Sequence, residues 1–199
     1  MTEPAIDRAL RRVVLVVALL NLGYFGVEFA VALAIGSVSL FADSIDFLED
    51  TSVNLLIFFA MAWSAARRAR VGMALALILL VPALATLWTA WEKFLDPAPP
   101  APFALSLAGL GALAVNLGCA FLLAGYRHHK GSLTKAAFLS ARNDALANVA
   151  IIAAGLVTAF AWRSAWPDLL VGLCIAAVNA DAAREVWQAA RQERADAQA

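Results

Sequence analysis

Six stretches of the chain are long and apolar enough to be read as membrane-crossing helices, and the segments between them are too short to fold separately. A helix rises about 1.5 Å per residue, so about 20 residues cross the hydrocarbon layer. The spacing predicts helices over residues 12–35, 38–63, 71–95, 102–125, 135–162 and 166–188, joined by "GSVS", "SAARRAR", "DPAPPAP", "RHHKGSLTK" and "RSAWPD". Composition agrees: 63% of the 199 residues are hydrophobic and 15% charged, whereas a soluble domain is about half apolar. The expected fold class is an all-α membrane protein with six transmembrane helices, residues 1–199 forming a single transmembrane domain. Residues 189–199 read as a short polar tail that cannot bury a core. No small-residue cleavage site follows the first apolar stretch, which reads as a retained helix and not a signal peptide. Cys119 and Cys174 both sit in apolar stretches and read as reduced, small packers. Pro82 is expected to kink the third helix.

Basic residues near helix ends set the orientation. One side of the predicted topology carries Arg8, Arg11, Arg12, Arg67, Arg68, Arg70, Arg127, Lys130, Lys135, Arg184, Arg191 and Arg194, and the other only Lys93 and Arg163. Both termini are therefore expected in the cytoplasm. Trp88, Trp91, Trp162 and Trp166 then fall at the outer interface, and Trp63 and Trp187 at the inner one, as an aromatic belt does. Asp168 and Asp181 are expected near the interfaces as well. The formal net charge is zero, which gives no reason to expect a nucleic-acid partner.

Polar residues inside the predicted membrane segments are concentrated in the first, second and fifth. The second carries Asp43, Asp46, Asp50 and Asn54, with Glu49 to one side; the first carries Asn21, Tyr24 and Glu28; the fifth carries Ser140, Asn143, Asp144 and Asn148. Steps of three and four residues keep each set on one helix face. A charge in a membrane helix costs about 2.5–3.5 kcal/mol on insertion scales, so these stripes must face the bundle interior, one another, water or a bound cation. Glu28, Asp43, Asp46, Glu49, Asp50 and Asp144 face a single intramembrane arginine, Arg142. The missing positive charge is supplied by protons or a metal ion. A structural polar network, with Arg142 paired to a carboxylate, is the bland alternative. Gly109, Gly111 and Gly118 in the fourth segment read as close helix-packing positions.

A short internal match places "SIDFLEDTSVNLLI" on "FLSARNDALANVAI", so that Asp50 falls on Asp144, Asn54 on Asn148, Glu49 on Asn143 and Asp46 on Ser140. Three-helix repeats must be inverted, because an odd number of crossings reverses topology, and transporter sites commonly lie between such repeats. The stretches "NLGYFGVEFAVALAIGSVSLFADSIDFLEDTSVNLL" and "AAFLSARNDALANVAIIAAG" resemble the cation diffusion facilitator family of divalent-metal transporters. That resemblance implies six helices with both ends cytoplasmic. Carried over position by position, it implies that Asp46 and Asp50 are the metal ligands of the second helix and Asp144 the second ligand of the fifth. The first ligand of the fifth helix falls on Ser140, where the family has His or Asp.

Serine is a poor zinc ligand, so Asn143, Glu49 or water would complete the shell, with Asp43 and Glu28 as further candidates. The family's appended cytoplasmic α/β domain is not expected in these residues, and homodimerisation is left open. His128 and His129, in the loop "GYRHHKG", would capture metal from the cytoplasm, or are simply solvated. The function implied is export of a divalent transition metal, zinc first and cadmium or another dication next, from the cytoplasm in exchange for protons. The protein is not read as an enzyme, and it needs no resident cofactor. Its partners are the dication, protons and the lipid bilayer. The expected location is a cell membrane, that of a bacterial inner membrane. A proton or cation channel using the same carboxylates and an intramembrane enzyme are the competing readings. Against the enzyme, the chain has no HExxH or GxSxG and no nucleophile beside a base.

Overall fold

The computed structural model describes residues 3–60, 67, 70, 84–126 and 132–196. Among the described residues there are six helices and no strand. They are α1 (Glu3–Ile35), α2 (Val38–Ala60), α3 (84–95), α4 (Pro102–Ala124), α5 (Ser132–Phe160) and α6 (Trp166–Asp196). Two bounds differ from the sequence expectation. α1 begins at Glu3 instead of near residue 12, and α6 runs on to Asp196, so most of the polar 189–199 segment is helical. Its Ala, Arg, Gln and Glu residues are good helix formers, and polarity ends the apolar span without ending the helix. Three helical segments are long and apolar enough to cross a membrane: Arg8–Ile35, Pro102–Ala124 and Asn143–Phe160. α2 falls outside that set because every membrane-length stretch of it contains Asp43, Asp46, Glu49 and Asp50. Pro82, Trp63 and the histidine pair lie outside the described residues.

α2 sits at the centre of the packing, touching α1, α4, α5 and α6, while α1 packs on α4, α4 on α5 and α5 on α6. The buried residues form two apolar halves. One gathers Leu10, Val14 and Val17 of α1 with Ile57, Cys119 and Leu123. The other gathers Ala32, Leu40, Phe41, Ile45, Leu105, Ile151 and Ile175. Between them in chain order on α1, α2 and α4 lie the buried polar residues Asn21, Glu28, Asp46, Asp50, Asn54 and Asn116. Large apolar side chains such as Phe103, Phe121 and Phe160 cover the outside and are more than four-fifths exposed, as a lipid-facing surface requires.

Small residues set how closely the helices approach. A Cβ on Gly109 would meet Ile151 at 3.0 Å, and one on Gly111 would overlap the Tyr24 hydroxyl. Gly118, expected to pack in the same way, has nothing within 4 Å and makes no such contact. The turn between α1 and α2 is built by "GSVS". Gly36 takes the left-handed conformation, φ +61°, and the Ser37 amide bonds back to the Ala32 carbonyl at 3.0 Å, closing α1. The Ser37 hydroxyl then accepts from the Leu40 amide at 3.1 Å as the cap of α2.

Asp168, in the first turn of α6, is held inside the bundle at that helix end. It is fully buried, and its carboxylate accepts from the Ser37 and Ser39 hydroxyls, both at 2.6 Å, and from the Val38 and Ser39 amides at 2.9 and 3.2 Å. An anion from α6 thus satisfies the free amides at the positive end of α2. Gly172, one turn on, lets the α6 backbone reach Val38 and Ser39: a Cβ there would lie 2.8 Å from the Ser39 nitrogen. The end of α3 joins the same corner, where the Lys93 ammonium donates to the Gly36 carbonyl at 2.6 Å and Phe94 meets Trp166 edge to face. Trp88, Trp91, Trp162 and Trp166 are all exposed near this end.

Candidate metal centre

Asp43, Asp46, Asp50 and Asn54 are buried along one stripe of α2, as their spacing requires. α5 meets that stripe with Ser140, Asp144 and Asn148. The Ser140 hydroxyl donates to Asp50 Oδ1 at 2.9 Å. Asp144 lies beside the same hydroxyl and within electrostatic reach of Asp50, Asp43 and Glu49. Asp46 has Asp144 as its strongest charged neighbour, followed by Asp43, Glu49 and Asp50. Among the described residues, the charged neighbours of these carboxylates are one another. The Asn54 amide donates to the Asp50 carbonyl at 2.8 Å, within α2.

The structure brings four of the expected residues into one layer: Asp46, Asp50, Ser140 and Asp144. Glu49 stands half-buried at its edge. Asn143 does not join them. It is exposed on α5, about 100° round the helix from Asp144, while Asn148 is buried. The Arg142 side chain, His128 and His129 lie outside the described residues. No three His, Cys, Asp or Glu side chains among the described residues converge closely enough to hold one metal ion. The carboxylates share a layer without closing on a single point, and Asp50 instead meets the Ser140 hydroxyl.

Asp43 and Glu28 belong to a neighbouring arrangement. Asp43 accepts a short hydrogen bond from the Asn148 amide, and Asn148 in turn accepts from the Asn116 amide at 3.0 Å. Glu28 of α1 faces Asp43. Asn116 appears in the sequence only as a lone polar residue in an apolar helix, and that isolation is the one signal that it has a buried partner. Tyr24, on the face of Glu28, donates to the Ala108 carbonyl at 2.6 Å and so ties α1 to α4.

A buried layer of carboxylates in a helical bundle can hold a cation or protons. The family model of the cation efflux transmembrane domain matches residues 14–192. The chain belongs to the cation efflux family. No curated protein matches it. The cation efflux family transports metal cations across membranes.

Proposed function

We propose that this cation efflux protein exports a divalent transition metal, zinc foremost, from the cytoplasm in exchange for protons, and that Asp46, Asp50, Ser140 and Asp144 hold the ion in transit. The observation that carries this reading is the meeting of the α2 and α5 stripes, where Asp50 bonds Ser140 and Asp46 lies against Asp144. A dication binds deprotonated carboxylates, so its arrival expels protons and returning protons release it. That exchange couples the two gradients without a nucleotide, and no nucleotide-binding motif occurs in the chain. Loading requires the carboxylates to close on one centre, which a small shift of α5 along α2 or rotation of the Asp50 and Asp144 side chains achieves. The basic residues flanking the helices and the exposed tryptophans at the α5–α6 corner support cytoplasmic termini in a cell membrane such as a bacterial inner membrane. The metal is cargo, and the reading needs no resident cofactor.

Reconstituted into vesicles, the protein should move zinc saturably and only against an opposing pH gradient, which distinguishes a carrier from a channel. Asp50→Asn and Asp144→Asn should each reduce that transport at least a hundredfold while remaining folded in the membrane. Transport at the wild-type rate by either variant would remove the assigned residues from the site.

A further inference from the structure

Glu28 is fully buried, and neither of its carboxyl oxygens has a hydrogen-bond partner. Asp43, also fully buried, faces it from α2 within hydrogen-bonding range. Its Oδ2 accepts from Asn148, and its Oδ1 is unpartnered. Two ionised carboxylates can only accept, so the pair closes only when a proton or a cation lies between its members. Tyr24, the nearest hydroxyl on the same face of α1, already donates to the Ala108 carbonyl. Asn116 donates to the Asn148 oxygen and so holds Asn148 in place, and Asn148 presents its amide to Asp43. Three carboxyl oxygens thus point into the bundle beside one another without a donor. An acidic pair in such a place is uncompensated unless a proton or a cation sits between its members.

We infer that Glu28 and Asp43 form a second cation station, separate from the Asp46, Asp50, Ser140 and Asp144 cluster, which takes a divalent metal ion. The inference rests on the transport reading above, since the cargo is what would reach this depth. Two carboxylates carry the charge that one dication neutralises, and all donors are oxygens, as hard and borderline dications accept. Position supports a role in transit. Asp43 lies one turn from Asp46 on α2, on the side of the α1–α2 corner. Phe41, on the turn before Asp43, lines a cleft of about 350 Å³ at that corner together with Gly36, Ser37, Glu92, Lys93 and Asp96. Along α2 the station therefore stands between the central cluster and a charged cleft at one end of the molecule, where the Phe29 and Phe41 rings meet at a tilt with centroids 5.5 Å apart.

The test is the number of ions bound at saturation by the full chain in lipid nanodiscs, measured by equilibrium dialysis with zinc alone and with manganese alone. Wild-type protein should bind two ions per chain, Glu28→Gln one, Asp144→Asn one, and the double variant none. Asp43→Asn should reproduce Glu28→Gln and carries the test if Glu28→Gln does not fold. Two ions bound by the folded Glu28→Gln and Asp43→Asn variants would overturn the station. So would a single ion in the wild type that Asp144→Asn removes; the central site would then stand alone, with a proton between Glu28 and Asp43. Loss of one ion in Glu28→Gln but none in Asp144→Asn would keep the station and reject the central assignment.

Discussion

At the scale of single residues, the proposed site gives Ser140 a part in the choice of ion. Its hydroxyl already donates to Asp50, so the side chain is in place to meet whatever Asp50 binds. With Asp46, Asp50 and Asp144 the donors are oxygen alone, a set that suits harder dications as well as zinc. An imidazole at this position would add the nitrogen that zinc favours. Ser140→His is expected to raise the preference for zinc over manganese about tenfold, measured as competing transport in vesicles. An unchanged metal ranking would mean that residue 140 does not face the ion. Helical periodicity in the sequence shows Ser140 and Asp144 on one face. It also sets Asn143 about 100° round the helix from Asp144, but it does not show which flank of that face turns outward.

At the scale of elements, the α1–α2 corner is held by a buried anion from α6. Asp168 accepts from two hydroxyls and two amides at the start of α2, and α2 carries most of the ion-binding stripe. Removing the carboxylate leaves buried donors without a partner, at about 1–3 kcal/mol each. Asp168→Ala should therefore lower thermal stability in detergent far more than Ser39→Ala, which removes a donor together with its bond and should cost about 1 kcal/mol. Gly172→Leu should be as damaging as Asp168→Ala, because its Cβ would strike the backbone of Val38 and Ser39. Melting curves that place Ser39→Ala level with Asp168→Ala would contradict this account. The motif "GSVS" is visible in the sequence as a short turn, and Gly36 and Ser37 follow from it. The Asp168 partner does not, because an acid in the first turn of α6 reads first as a complement to its own helix dipole.

At the scale of the whole molecule, two apolar halves enclose a polar layer of surplus carboxylates, and on the proposed reading proton exchange belongs to that whole layer. The carboxylates lie within reach of one another, so they titrate as a group and no single residue owns the coupling. Zinc affinity should fall as pH is lowered, since protons and the dication compete for the same oxygens. Calorimetry of zinc binding between about pH 6 and 8 should give an apparent enthalpy that varies with the ionisation enthalpy of the buffer. An enthalpy independent of buffer would mean that no protons leave, and exchange with protons would fall with it.

Much of this molecule is legible from the chain alone. Apolar length makes α1, α4 and α5 membrane-crossing segments, and spacing by three and four places Asp43, Asp46 and Asp50 on one face of α2 and Ser140 with Asp144 on one face of α5. The stretches around those residues were enough to suggest the family that the match over residues 14–192 establishes. Only the tertiary structure decides which stripe residue meets which partner: Asp50 with Ser140, Asp43 with Glu28 and Asn148, and Asp168 with the start of α2. Periodicity reports the angle of a side chain around its own helix. The axial offset and rotation between two helices come from where their backbones can approach, at Gly109 against Ile151, Gly111 against Tyr24 and Gly172 against Val38, and those contacts join residues far apart in the chain.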